Sequence, residues 1–209
     1  MVANFFIEGV LPLLERMAFV IFAALLFSRT ELFRKAVKSE CTLLQKALFS
    51  VFFGILAVYG TLRGIKVLGA IANIRDLAPL MAGVLGGPVA GTLTGIIGGI
   101  HRLSVGGFTA IPCSLATVLA GLMAGILSKR IRGENLLVKG TTLAITVEVF
   151  HMALILALAR PFSEAMVTVG QIALPMIVAN ATGMLLFLYL FKEDEDNETS
   201  RLLIGGTNA

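Results

Sequence analysis

Two arginines, Arg75 and Arg102, stand at the two ends of one apolar stretch. A guanidinium is a planar, permanently charged fork that grips a carboxylate through two parallel hydrogen bonds. Asn73 lies just ahead of the first arginine and His101 just ahead of the second, each placed to orient a guanidinium or a ligand. Asp76 offers a plainer account of Arg75, as its neutralising neighbour, and snorkelling to the membrane interface is a plain account of both. Taken as a pair flanking a broken hydrophobic segment, the arginines point to a small anionic ligand. Cys113 and Ser114 directly follow Pro112, a residue suited to the first turn of a helix. Ser114 and Thr117 would then set hydroxyls near a helix start whose free N–H groups and dipole favour anions. Cys113 itself reads first as a small buried residue.

Other polar sets read as interhelical hydrogen bonds. Glu8 and Glu15 share one helix face beside Arg16, Glu148 and His151 are three residues apart, and Gln171 and Asn180 flank Pro175. A proton path through Glu148 and His151 is the alternative for that pair. With two cysteines and two histidines, and without CxxC or HExxH spacing, no metal cage or other cofactor is expected, and no disulfide.

The elements that must position these groups are membrane spans. The chain is 57% hydrophobic and 14% charged, with a mean hydropathy of +0.92. Soluble domains carry about 25% charged residues, so this is an integral membrane protein of the all-α class. The net charge of +4 sits in short loops and reads as topology rather than as a nucleic-acid footprint. Apolar runs fall near Phe5–Phe27, Ala47–Leu62, Leu77–Ile100, Ala110–Leu127, Thr141–Leu158 and Val167–Phe191. The first lacks a basic n-region and is interrupted by Glu8, so it reads as a span and not a cleaved signal.

The third run decides the topology. If it crossed the membrane, the basic segments Arg29–Lys46 and Lys129–Lys139 would lie on opposite faces, against the positive-inside rule. Folding back at Gly86-Gly87-Pro88 gives halves Arg75–Gly87 and Pro88–Ile100 of 13 residues each. Each would be about 20 Å long as helix, short of a core of roughly 30 Å. The fold expected is therefore five transmembrane helices plus a Gly-rich re-entrant hairpin, with six helices as the alternative. The N-terminus is then outside and the C-terminus cytoplasmic. A straight helix would hold Arg75 and Arg102 about 40 Å apart, whereas a hairpin brings both to one mouth. Gly83, Gly87, Gly91, Gly95 and Gly99 recur every fourth residue and give the hairpin a smooth face for close backbone packing.

At these residues the chain resembles a known family. The runs ANIRD (Ala72–Asp76), AGVLGGPVAG (Ala82–Gly91), GGIHR (Gly98–Arg102) and GGFTAIPCSLAT (Gly106–Thr117) are similar to the five-transmembrane receptor domain of the LytS/YhcK type. So is the opening LLERMAFVIFAALLFSRTELFR (Leu13–Arg34). The resemblance implies a membrane sensor of histidine kinases or, less often, of diguanylate cyclases. It also implies a helical architecture similar to the substrate-binding subunits of vitamin transporters. Some members are similar to pyruvate-sensing kinases. Carried over by motif, Arg75, Arg102 and Cys113 become ligand-pocket residues, with Ser114 or Thr117 as polar partner and Asn73 and His101 beside them.

Residues 1–192 then form the sensor domain, and 193–209 a polar cytoplasmic tail leading toward an output module. No ATP-binding glycine motif and no phospho-acceptor histidine region follow Arg201, so kinase activity is not assigned to this chain. The expected function is a plasma-membrane receptor domain that binds a small extracellular carboxylate, pyruvate-like, and signals through its last helix. Its partners would be the lipid bilayer, a second copy in a homodimer, and a cytoplasmic kinase or other output module, fused or separate. No nucleic acid is involved. A transporter, or a transporter binding subunit for a small anion, is the alternative. The absence of a second glycine-rich broken segment in the other half of the chain speaks against it.

Overall fold

The computed structural model describes the backbone of residues 9–205 and the side chains of residues 9–193. Its elements are α1 (Leu11–Ser28), α2 (Glu31–Val37), α3 (Leu43–Leu62), β1 (Ile65–Val67), β2 (Ala70–Ala72), α4 (Leu77–Val105), α5 (Ala110–Ile131), α6 (Leu136–Leu158) and α7 (Phe162–Gly205). Among the described residues, six helices are long and apolar enough to cross a membrane. Length misleads for one of them. Within α4, Gly87 has φ 81° and ψ −173°, a conformation essentially reserved for glycine, and the helix breaks there.

The break is a reversal. A Cβ added to Gly91 would stand 2.7 Å from the Cα of Gly83. In a straight helix these residues would be about 12 Å apart. The chain therefore forms a hairpin whose arms run Leu77–Gly86 and Pro88–Val105. The arms are unequal, about 15 and 27 Å long, where the sequence suggested two equal halves. The helical periodicity simply continues past Ile100 to Gly106, whose φ of 76° ends it.

The hairpin packs chiefly on α5 and then α3, while α7 packs on α6 and α1. The glycines make the α4–α5 contact backbone to backbone. Gly95 lies on Thr117 and Val118, and Gly99 on Ser114. A polar clamp fixes the hairpin's turn. Pro88 has no N–H, so the Val84 carbonyl one turn earlier loses its helical partner. Arg132 supplies one through Nε at 2.8 Å, and its Nη1 donates to Val37 O at 2.8 Å. The loop after α5 and the end of α2, both basic, therefore share one face. At the other face, β1 and β2 pair antiparallel with Val67 opposite Ala70, through a two-residue turn of Leu68 (φ 47°) and Gly69 (φ 78°). A Cβ on Gly69 would touch the Phe108 ring at 3.5 Å, so both ends of the hairpin return to this face.

Two further elements were not apparent in the sequence. The basic segment after α1 contains α2, capped by the Thr30 hydroxyl and anchored by Phe33, which is 1% exposed. Helix α7 runs without interruption through the polar tail to Gly205. Glu8 lies outside the described residues.

Candidate functional site

Asn73 makes the turn that delivers Arg75. Its Oδ1 accepts the Arg75 N–H at 2.9 Å, and its Nδ2 donates to Ile71 O at 2.6 Å. Asn73 is thus a loop organiser. Gly60 lets the Arg75 backbone lie against α3, since a Cβ there would stand 2.8 Å from the Arg75 Cα. The Arg75 side chain then runs into the bundle past Gly98, with no exposure at all. Its Nε donates to Thr117 Oγ1 at 2.5 Å, Nη1 to Thr61 Oγ1 at 3.4 Å and Nη2 to Cys113 O at 3.3 Å.

Thr117 in turn donates to Asp76 Oδ1 at 2.6 Å, and that oxygen is 3.4 Å from Arg75 Nε. Arg75 therefore has its neutralising acid, and the plainer reading of that residue holds for its local pairing. Arg102 differs. It is also fully buried, yet among the described residues no carboxylate pairs with it. Its Nη1 donates to Gly106 O at 2.5 Å and its Nη2 to Thr109 Oγ1 at 3.0 Å, while Nε has no partner. These bonds tie the end of α4 to the residue that caps α5.

Cys113 stands between the two arginines. Its carbonyl receives Arg75, and its thiol lies in the neighbourhood of His151 and Arg102. Ser114 is buried with its hydroxyl unpartnered, against Gly99 one turn below Arg102. Thr117 is two turns into α5, so its hydroxyl serves the Arg75–Asp76 bridge rather than a helix start. His101 precedes Arg102 and so lies about 100° around the helix. It is half-buried and takes no part in the hydrogen bonds of this cluster.

Sequence reasoning gave Arg75, Arg102 and Cys113 as one group, and the structure brings them together. It did not foresee that Glu148 and His151 join them. His151 Nδ1 lies 2.8 Å from Asp76 Oδ2 and 3.7 Å from Glu148 Oε2, the second too far for a hydrogen bond. Donor atoms of Asp76, Glu148 and His151 fall within 4.8 Å of one another, close enough to share a cation. The i,i+3 spacing of Glu148 and His151 was the available signal. Their meeting with Asp76 depends on the packing of α6 against the start of α4. Arg75, Asp76, Arg102, Glu148 and His151 have no exposure, so the cluster is closed in this conformation, and a surface cleft of about 550 Å³ lies elsewhere, lined by Leu68, Ser163, Glu164, Val167 and Thr168.

A family model described as "5TMR of 5TMR-LYT" matches residues 30–194. The chain is 40% identical over 185 residues to the Sensor histidine kinase BtsS of Escherichia coli K12, covering 86% of this chain and 33% of that protein. It is 32% identical over 224 residues to the Sensor protein LytS of Bacillus subtilis 168, covering 94% and 38%. To the Sensor histidine kinase YpdA of Escherichia coli K12 it is 28% identical over 193 residues, covering 91% and 34%. The chain spans about a third of the length of these relatives. No solved structure matches.

Proposed function

We propose a function from the premise that this chain belongs to the five-transmembrane receptor family of the LYT type, the membrane sensor domains of LytS-like histidine kinases. It binds a small, pyruvate-like carboxylate from the outer face through Arg75 and Arg102 and transmits the event along α7. The observation that carries this reading is Arg102: a fully buried guanidinium without an acid partner among the described residues, whose Nε has no hydrogen-bond partner. A charge in that position needs a counter-charge. A carboxylate supplies it, with Cys113 and the free Ser114 hydroxyl at hand.

A route to the output is also present. Asn180 on α7 donates to Asn73 O at 3.3 Å, and Asn73 holds the Arg75 N–H. At the far end of the same helix, Phe191 meets Phe33 of α2 with ring centroids 5.7 Å apart. Movement of the Arg75 loop on ligand binding would therefore act directly on α7. The ligand can shift that arrangement only to the extent that it binds one state better than the other. The sorting of the basic loops supports a cytoplasmic face at their end and an arginine cluster toward the outside. The kinase or other output module, fused or separate, lies beyond α7, and two copies pair as a homodimer.

The test is a thermal-shift screen of small carboxylates on purified protein in detergent. At 100 times its dissociation constant a ligand stabilises by about 2.7 kcal/mol. For a chain of this size that raises the melting point by roughly 5–11 °C. The shift should be absent with the matching amide. A chain that responds to no carboxylate, or equally to acid and amide, does not carry this function.

A further inference from the structure

Glu148 is completely buried, its Oε2 is turned toward His151, and neither of its oxygens has a hydrogen-bond partner. An ionised carboxylate persists inside a membrane protein only when positive charge shares its place. Arg75 is engaged by Asp76, directly and through Thr117. With that pair neutral, Glu148 and His151 are neutral together only when they hold one proton between them, either as an ion pair or as carboxylic acid beside neutral imidazole. No proton leaves a bare carboxylate, and two leave a bare imidazolium, each costly in a low dielectric. A divalent metal ion on the same three side chains would give a net charge of +1 with Arg75, next to the buried Arg102 cation. The other charged or titratable groups facing the pair are Asp76 and Arg75 ahead of α4, and Cys113 on α5.

We infer that Glu148 and His151 form a binding site for a single proton, coupled through Asp76, Thr117 and Arg75 to the carboxylate site. The coupling rests on the function proposed above; the proton itself does not. A bound carboxylate adds negative charge beside the cluster and so favours its protonated form. By reciprocity the proton favours the carboxylate. Affinity is then full where the free protein holds the proton. It falls as pH rises through the range where the proton is lost, by up to about tenfold per pH unit. The sensor would thus read a carboxylate together with a proton.

The proton is tested without any ligand, by infrared spectra of the full chain in detergent with isotope-labelled histidine and glutamate, in water and in deuterium oxide. Near neutral pH the wild type should show a deuterium-sensitive band of imidazolium or carboxylic acid that Glu148→Gln lacks, whereas His151→Gln should hold its proton permanently as Glu148 carboxylic acid. A wild-type spectrum of neutral His151 with ionised Glu148, readable even if neither variant folds, overturns the inference. So does a stoichiometric metal ion found by elemental analysis. Calorimetric titration with pyruvate, across pH and in two buffers of different ionisation enthalpy, tests the coupling. Proton uptake and a pH slope, both lost in His151→Gln, are expected. Binding with neither refutes the coupling while leaving the carboxylate function standing. Binding of no carboxylate refutes that function and the coupling, while the infrared result still decides the proton.

Discussion

Gly121→Ala and Gly91→Ala place a methyl group where the hairpin and α5 touch backbone to backbone. A Cβ on Gly121 would overlap the Gly91 carbonyl, and one on Gly91 would overlap the Gly121 carbonyl and stand 2.7 Å from the Cα of Gly83. None of these obstacles can rotate aside, so the elements themselves must separate. Inserted methylenes in packed cores cost about 1–3 kcal/mol, and immovable backbone puts these sites at or above the upper end. At about 2–4 °C per kcal/mol, 3 kcal/mol lowers the melting point by roughly 6–12 °C. Gly170→Ala on α7 is the control, because a Cβ there meets nothing within 4 Å. It should be neutral or gain up to about 1 kcal/mol of helix propensity. The assay is loss of monodisperse protein on gel filtration after heating in detergent. Wild-type melting of both Gly91→Ala and Gly121→Ala would refute the hairpin's packing on α5.

Gly87→Ala should cost about 1–3 kcal/mol through backbone conformation alone, since space is open there; melting checks it. Arg132→Ala releases the Val84 and Val37 carbonyls, each held by a charge-assisted bond worth about 1.5–3 kcal/mol, and Arg132→Lys should recover little because one ammonium does not bridge both. For sidedness, Lys66→Cys and Val105→Cys should react with impermeant thiol reagents from one face, and Glu134→Cys from the other. Cys41→Ser provides the background, although burial already pushes the Cys41 thiol up. A straight α4 would instead put Lys66 with Glu134 and opposite Val105.

The helices were legible because an apolar run of span length has few alternatives, and the reversal because Gly86-Gly87-Pro88 and the sorting of basic loops pointed the same way. The arms' inequality was not. The chain between Ile100 and Gly106 carries no breaker, so the helix continues past the polar His101 and Arg102. The β1–β2 hairpin hid in three-residue strands whose turn carries Leu68 at positive φ, a residue that gives no turn signal. At the site, Arg75, Arg102 and Cys113 could be grouped once the hairpin was assumed. Asp76 looked like a neighbour of Arg75 alone, and its approach to His151 depends on how α6 packs, which local sequence does not encode. Asn73 was read as orienting a guanidinium or a ligand because polarity beside an arginine is ambiguous; its hydrogen bonds order the turn that leads into Arg75.

Whether Arg75 and Arg102 together hold a carboxylate is decided by calorimetric titration of the screened ligand into folded wild type and variants. Truncating one partner of a buried, hydrogen-bonded charge pair costs about 2–5 kcal/mol. Arg75→Ala and Arg102→Ala should each therefore weaken binding at least about tenfold, since roughly 1.4 kcal/mol is a factor of ten. Arg→Lys at either position should weaken it less, because charge remains while the fork is lost, and Cys113→Ser should have the smallest effect. If both alanine variants bind the carboxylate like wild type, the arginines only anchor the hairpin's mouth, and the ligand site proposed here is wrong.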